Sequence, residues 1–173
     1  MKKYFLIILI VIVALAAATA ALLLWHGEIA QTAGSNASLN LPADTSPYSN
    51  PQYHFSLLYP SFLQVSQFQS GDAYTVAFQD PQSHGGFQVY VVPYAGAQIT
   101  KDEFTKDIPS GVIENPTNIV VAGVPATMFL STDATMGTTR EVWFIKDGLL
   151  YEVTTYQQLD TWLAQIMQSW KFI

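Results

Sequence analysis

Apolar residues recur at every second position in several short segments of the chain, and this alternation restricts the possible fold more than any other sequence feature. Prolines, glycines and aspartates separate the segments, as in the turn Ser70-Gly71-Asp72. Successive side chains of a strand point to opposite faces, so this period predicts an antiparallel sheet with one face towards a core. The first four predicted strands are Tyr53–Tyr59, Phe62–Phe68, Ala73–Gln79 and Phe87–Val92.

The second half of the chain contains the clearest hairpin. Glu141–Lys146 and Leu149–Thr155 flank Asp147-Gly148, a pair that readily adopts the positive φ angles of a tight turn. Val142 and Phe144 lie on one face of the first of these strands and Trp143 lies on the other, so both faces are apolar. We therefore expect this strand to have a central position in the sheet. Two further strands, Asn118–Ala122 and Ala126–Thr132, are predicted around Gly123-Val124-Pro125.

Two helices complete the predicted fold. Thr100-Lys101-Asp102-Glu103 has the spacing of a capping box and begins a short helix that Pro109 ends. A second helix begins near Gln157, and a short strand, Lys171–Ile173, follows it. We therefore expect an α+β fold, a mainly antiparallel sheet with helices packed on it in an α/β/α-type sandwich. The second helix carries one apolar stripe, formed by Leu159, Trp162, Leu163, Ile166, Met167 and Trp170.

The order of these elements resembles the PsbP-like proteins, extrinsic subunits of photosystem II and their bacterial relatives. Residues 53–60, YHFSLLYP, are similar to the "GFSFxYP" opening strand, with His54 in place of a glycine. Residues 146–151, KDGLLY, are similar to the late "dGrlYxl" hairpin, and Ser169–Phe172 resembles the closing "SFxF". The resemblance covers about residues 48–173 and implies the PsbP-like fold. It transfers no metal ligand or photosystem contact, because no such residues match, and a Ran-binding nuclear import protein also uses this fold.

Phe5–Trp25 is a run of 21 residues without a charge. As a helix it would be about 32 Å long, which is enough to cross a hydrocarbon core of roughly 30 Å. Lys2 and Lys3 precede the run, and the next lysine or arginine is Lys101. The positive-inside rule therefore predicts a signal anchor, with a cytoplasmic N-terminus and the rest of the chain outside.

A cleaved signal peptide is the alternative to this anchor. Ala18-Thr19-Ala20 has the form of a cleavage site, but cleavage would leave a strongly apolar mature terminus. Both interpretations export the chain. The Ala/Ser/Asn/Pro-rich residues 26–50 are predicted to be a flexible linker. The predicted organisation is an anchor at 1–25, a linker at 26–50 and an extracytoplasmic domain at 51–173.

Charge and cysteine content exclude several classes of function. The chain has 7 basic and 13 acidic residues, a net charge of −6, which disfavours binding to nucleic acid and to anionic lipid headgroups. It has no cysteine, so disulfides, thiolate catalysis and cysteine-ligated zinc are absent.

Few groups of residues contain the side chains that a catalytic site or a metal site requires. Asp80, Ser83 and His84 contain the groups of a hydrolytic triad, but their adjacency beside Pro81 and Gly85-Gly86 is typical of a turn. His54 and His84 could share a metal ion with carboxylates, yet they lack the spacing of a metal motif. We expect a loop and two ordinary histidines.

The clustered carboxylates and the aromatic residues also have structural explanations. Asp102 and Glu103 belong to a first helical turn, where the helix dipole favours negative charge, and Asp107 follows without calcium-loop spacing. Trp162 and Trp170 belong to the helix stripe. The sequence therefore predicts no catalytic, cofactor-binding or metal-binding residue.

These observations favour a non-catalytic accessory or binding domain, held to a membrane by residues 5–25, that acts on an envelope protein or a wall component. The alternative is an exported enzyme, a hydrolase or a metal-dependent enzyme, whose site residues are distant in sequence. Convergence of His54 or His84 with Ser83, or with two carboxylates, would favour the enzyme.

Overall fold

The computed structural model describes residues 44–108 and 110–173. The predicted anchor at residues 5–25 and most of the predicted linker lie outside these residues. No helix within the described ranges is long and apolar enough to cross a membrane.

Seven strands form one antiparallel sheet: β3 (Gln64–Ser70), β4 (Ala73–Gln79), β5 (Gly86–Pro93), β6 (Glu114–Val121), β7 (Val124–Asp133), β8 (Gly137–Lys146) and β9 (Leu149–Tyr156). Their spatial order is β3-β4-β5-β9-β8-β7-β6. Strands that are consecutive in sequence are hydrogen-bonded neighbours except β5 and β6, because β5 pairs with β9 instead. The order confirms the central position predicted for Trp143, because β8 has neighbours on both sides.

A second sheet of three strands was not predicted. It has the order β1-β2-β10, from β1 (Thr45–Asn50), β2 (Phe55–Pro60) and β10 (Lys171–Phe172). The linker predicted for residues 26–50 is therefore wrong for its last six residues. Strand β1 has no apolar alternation and contains Pro47, yet its backbone pairs with β2 from Thr45↔Pro60 to Asn50↔Phe55. Pairing with β2, rather than a pattern in its own sequence, therefore makes this segment a strand.

Helix α2 (Asp160–Gln168) packs on one face of the large sheet, after a 3₁₀ turn at Gln157–Leu159. The predicted stripe is confirmed, because Trp162, Leu163, Ile166 and Met167 are all buried. Trp170 follows the helix and stacks on Phe55 of the small sheet, with ring centroids 4.7 Å apart. The helix and the small sheet therefore contribute to one core with the large sheet, which includes Val76, Val89, Val91, Val142 and Val153.

The opposite face of the large sheet is covered by α1 (Lys101–Asp107). Its Phe104 stacks on Trp143 at 4.9 Å and meets Phe129 edge-on at 5.3 Å. Thr100 caps the helix as predicted, since its hydroxyl oxygen accepts a hydrogen bond from Glu103 N at 3.2 Å. The chain thus has the predicted α+β fold, with mainly antiparallel strands and one short helix on each face of the large sheet.

Two of the predicted strands begin later than expected. Residues 51–54 form a turn instead of the start of a strand, and His54 has a φ angle of 54°. Asn50 Oδ1 accepts a hydrogen bond from Tyr53 N at 3.1 Å and fixes this turn. Strand β3 begins at Gln64 because Ser61 and Phe62 are in a turn after Pro60. The predicted Asp147-Gly148 hairpin turn is confirmed, with φ angles of 51° and 76°.

Candidate functional site

The loop Asp80–Gly85 does not form a catalytic triad. Ser83 Oγ donates its hydrogen bond to Asp80 Oδ2 at 2.6 Å, and Gln82 N donates to Asp80 Oδ1 at 2.9 Å. These two bonds, the first above all, hold the pKa of Asp80 below its ordinary value. The Ser83 hydroxyl is thus bound to a carboxylate, which is too weak a base to activate it, rather than to His84. The loop is the turn expected from its sequence.

The two histidines occupy different elements. His54 ends the turn before β2, and His84 lies in the loop between β4 and β5. In the ranges 44–108 and 110–173, no three histidine, aspartate or glutamate side chains come together as a possible metal site. The structure therefore does not bring together the residues whose convergence would favour an enzyme.

The carboxylates of α1 differ from one another in their surroundings. Asp102 is exposed in the first turn, and Glu103 Oε1 accepts a hydrogen bond from Lys106 Nζ at 2.6 Å. Asp107 turns towards the sheet, where burial, followed by the neighbouring Glu103, raises its pKa to about 6. Its Oδ2 is buried and has no hydrogen-bond partner in residues 44–108 and 110–173, and Lys106 Nζ is 3.8 Å away. Asp107 is thus a half-buried acid rather than a helix-end charge.

Two buried glutamates, Glu141 on β8 and Glu152 on β9, share the α1-covered face of the sheet. Glu141 accepts three hydrogen bonds, from Thr139 Oγ1 at 2.7 Å, Thr154 Oγ1 at 2.7 Å and Trp143 Nε1 at 3.4 Å. Burial raises its pKa to about 7, although these bonds oppose the shift. Glu152 is also buried, and its Oε1 has no hydrogen-bond partner among the described residues.

Burial, then the charges of Asp107 and Glu141, hold the pKa of Glu152 well above its ordinary value. An unpaired charge in such a place is costly, and this cost favours the protonated form of the group. Sequence reasoning missed both glutamates. A usable signal was present only for Glu152, which interrupts the apolar run Leu149-Leu150-Tyr151-Glu152-Val153 in the clearest predicted hairpin, where a charged residue facing solvent is not expected. Glu141 follows Thr139 and Arg140 at the start of its predicted strand and gave no such signal.

A concave surface lies at one end of the seven-stranded sheet, and we name it the turn-end cleft. It has a volume of about 850 Å³ and opens to solvent. Antiparallel order brings the β3–β4 and β8–β9 turns to this end, where they meet the turn before β2. The cleft is lined mainly by polar side chains, including Gln52, His54, Gln69, Asp72, Lys146 and Asp147.

The backbone of the turn before β2 is held at two points in the wall of this cleft. Tyr151 Oη donates to the Tyr53 carbonyl at 2.9 Å, and Ile173 N donates to the His54 carbonyl at 3.1 Å. These bonds fix the positive φ of His54, a conformation that costs energy for a residue with a Cβ. Lys146 Nζ lies 3.0 Å from Asp147 Oδ1 at the opposite wall. The cleft therefore combines a fixed backbone with exposed groups of both charges.

An apolar groove of about 490 Å³ separates α2 from strands β6 to β8. Asp160 at its edge forms a bidentate pair with Arg140, through contacts of 2.9 Å and 2.7 Å. Trp170 lies in its wall, and the buried Nε1 of this residue lacks an acceptor within the described part of the chain. The groove offers mainly packing surface, whereas the turn-end cleft offers the polar groups on which recognition depends. We therefore take the cleft as the candidate binding site.

No family model and no curated protein sequence matches the chain. The search of solved structures finds a similar fold in the solution structure of cyanobacterial PsbP (CyanoP) from Synechocystis sp. PCC 6803. The match has a TM-score of 0.57 and 13% sequence identity, and it covers 81% of this chain and 98% of that one. Identity this low carries information about the fold only. The resemblance to PsbP-like proteins expected from the sequence is thus confirmed for the fold.

Proposed function

We propose that the chain is a membrane-anchored extracytoplasmic accessory domain, and that it binds another envelope protein through the turn-end cleft. The observation that carries the proposal is the cleft itself, a concave polar surface of about 850 Å³. Its walls come from segments distant in sequence and are held by backbone hydrogen bonds. A surface fixed before binding loses less conformational entropy when a partner docks.

The chemistry of the cleft indicates the kind of partner. Asp72 and Asp147 contribute carboxylates, Lys146 an ammonium group and His54 an imidazole. A polar segment of a protein, with both hydrogen-bond donors and acceptors, complements such a mixed surface better than an apolar small molecule does. A phosphate-rich polymer is a poor match, because the chain has a net charge of −6.

The anchor is supported by the sequence of residues 5–25. An uncharged run of this length, preceded by Lys2 and Lys3, is the pattern of a single-pass segment with its N-terminus inside. The full chain should remain in carbonate-washed membranes with its complete N-terminus. Protease added outside the cell should digest residues 44–173. A soluble product that begins at Ala21 would contradict the anchor and support cleavage.

Site-specific photo-cross-linking tests the cleft in the full chain. A photoreactive amino acid at Asp72, in the β3–β4 turn, should cross-link one envelope protein reproducibly. Thr135 is the matched control, because it is also an exposed turn residue but lies at the opposite end of the sheet, between β7 and β8. Equal labelling from both positions, or none from Asp72, would show that the cleft is not the binding site.

A further inference from the structure

The edge strand β3 of the seven-stranded sheet has an uncovered outer side. Among the described strands it pairs only with β4, in an unbroken register from Gln64↔Gln79 to Ser70↔Ala73. Most of its side chains are exposed, and 40% of Phe68 is accessible to solvent. Among the described residues, no backbone hydrogen bond joins its outer side to another element. An edge of this kind is a template for a further strand.

The opposite edge of the sheet, β6, has features that hinder strand pairing at its N-terminal end. It carries the charge of Glu114 and the proline Pro116, which has no N–H to donate. Asn115 has a φ angle of 52°, and the register shifts between Glu114 and Thr117. Charges, prolines and bulges are the devices by which proteins block edges. Strand β3, with the sequence QVSQFQS, has no charge, no proline and no bulge.

The β3–β4 turn determines which backbone groups of β3 point outwards. Its two-residue loop, Gly71-Asp72, makes Ser70 and Ala73 the hydrogen-bonded pair that closes the hairpin. Bonded and non-bonded positions alternate along an antiparallel pair. The N–H and C=O groups of Val65, Gln67 and Gln69 therefore point away from β4, towards solvent.

We propose that β3 pairs antiparallel with β3 of a second copy of this chain, about a twofold axis at Gln67. This register places Gln67 opposite Gln67 of the second copy and Val65 opposite its Gln69. All three outward residues then exchange backbone hydrogen bonds, and the two sheets become one. Ser66 lies opposite Phe68 of the second copy, so both exposed Phe68 rings gain cover.

The uncharged strand favours a second copy over an unrelated partner. Two chains of net charge −6 repel each other, and contact between them is least costly where neither contributes a charge. A twofold axis also satisfies both edges at once, because each strand is the template and the added strand. The contact is one short strand on each side, smaller than a stable interface requires, so the dimer is a weak one.

Cysteine cross-linking of the full chain in intact cells tests the contact, because the native chain has no cysteine. Gln67→Cys should give a covalent dimer with a short bismaleimide, since residues paired across strands are about 5.5 Å apart. Asn118→Cys, exposed on the blocked edge β6, is the matched control. We expect roughly tenfold more dimer from Gln67→Cys. Equal yields, or a product with a different protein instead of the dimer, would overturn the proposal.

A charge exchange at the axis tests the register. Gln67→Lys and Gln67→Glu each place like charges opposite each other, and both should lose the dimer reported by cross-linking at Ser66→Cys. Co-expression of the two variants, with different tags, should restore it as a mixed dimer. Restoration also shows that both variants are folded. A dimer that persists in Gln67→Lys alone, or a pair that fails to restore it, would exclude this register.

Discussion

Glu152 lies directly opposite Trp143 in the register of strands β9 and β8, so a buried carboxyl group sits beside a buried indole on the face covered by α1. Its Oε1 has no hydrogen-bond partner in the described residues. Glu141 on β8 and Asp107 on α1 are close enough to raise its pKa. The same face therefore carries several acids whose protonation contributes to the stability of the fold.

The stability of the domain is expected to fall as pH rises. Burial raises the pKa of Glu141 from 4.5 to about 7 and that of Asp107 from 3.8 to about 6. For each group, the folded state binds more protons than the unfolded state at any pH between the ordinary pKa and the raised pKa. The contribution of the group to the free energy of unfolding is therefore complete below the ordinary pKa and is lost as pH rises through the raised one. Each group contributes at most about 1.4 kcal/mol per pH unit. Denaturant melts from pH 4.5 to 8 measure the slope.

Glu152→Gln should reduce this slope, because the variant cannot ionise at this buried position. The stability of the variant relative to the native chain should accordingly increase as pH rises from 5 to 8. Glu114→Gln, at an exposed position on β6, should leave the slope unchanged. If Glu152→Gln and Glu114→Gln gave parallel pH profiles, the buried acid would not be the source.

The elements with a local pattern could be predicted from the sequence. Strands β4 and β5, the Asp147-Gly148 turn and the α2 stripe all have a period or a turn pair that determines their structure without distant partners. Strand β1 could not be predicted, because its sequence has no apolar alternation and its extended conformation depends on pairing with β2. The small sheet was missed for the same reason, since β10 joins β2 from more than one hundred residues away in sequence.

The candidate site was less predictable than the fold. The turn-end cleft forms where Asp72, Lys146 and His54 meet, and no sequence spacing relates these residues. Glu152 gave a local signal, because it interrupts an apolar run, but the meaning of that signal depends on the cover that Phe104 supplies from α1. Sites built by tertiary contacts thus require the structure, whereas the loop at Asp80 could be recognised as a turn from its composition.

Gly86→Ala is expected to destabilise the domain by about 2–3 kcal/mol, the upper part of the range for overpacked interiors. A Cβ at this position would overlap the carbonyl oxygen of Phe78 on the neighbouring strand, a backbone atom that cannot move aside. Gly123→Ala is the control, because a Cβ there meets no atom of the described residues within 4 Å, although its φ of 84° costs about 1 kcal/mol. Thermal melts that rank Gly123→Ala as the more harmful change would contradict this packing.

Arg140→Lys is expected to cost about 1 kcal/mol, because lysine cannot reproduce the two hydrogen bonds that Arg140 donates to Asp160. The estimate is modest since 40% of the Asp160 side chain is exposed and solvent screens the pair. Lys146→Met, which breaks the more exposed pair with Asp147, should change stability by less than about 0.5 kcal/mol. Equal losses in the two variants would show that bidentate geometry contributes nothing here.

Leu163→Ala is expected to have the largest effect of a single truncation in α2. Leu163 is 2% exposed and belongs to the core between the helix and the large sheet. Truncation of a buried leucine removes apolar contacts and leaves a cavity, at a cost of about 2–5 kcal/mol. Gln165 is half-buried, so the exposed Gln168 provides the control, and Gln168→Ala should stay within about 0.5 kcal/mol.

Because Leu163 also lines the apolar groove, a partner-binding role predicts the opposite result, an unchanged melt with weaker capture of a partner. Denaturant melts of both variants separate these roles, and equal stability of the two would show that the helix stripe does not hold the fold together.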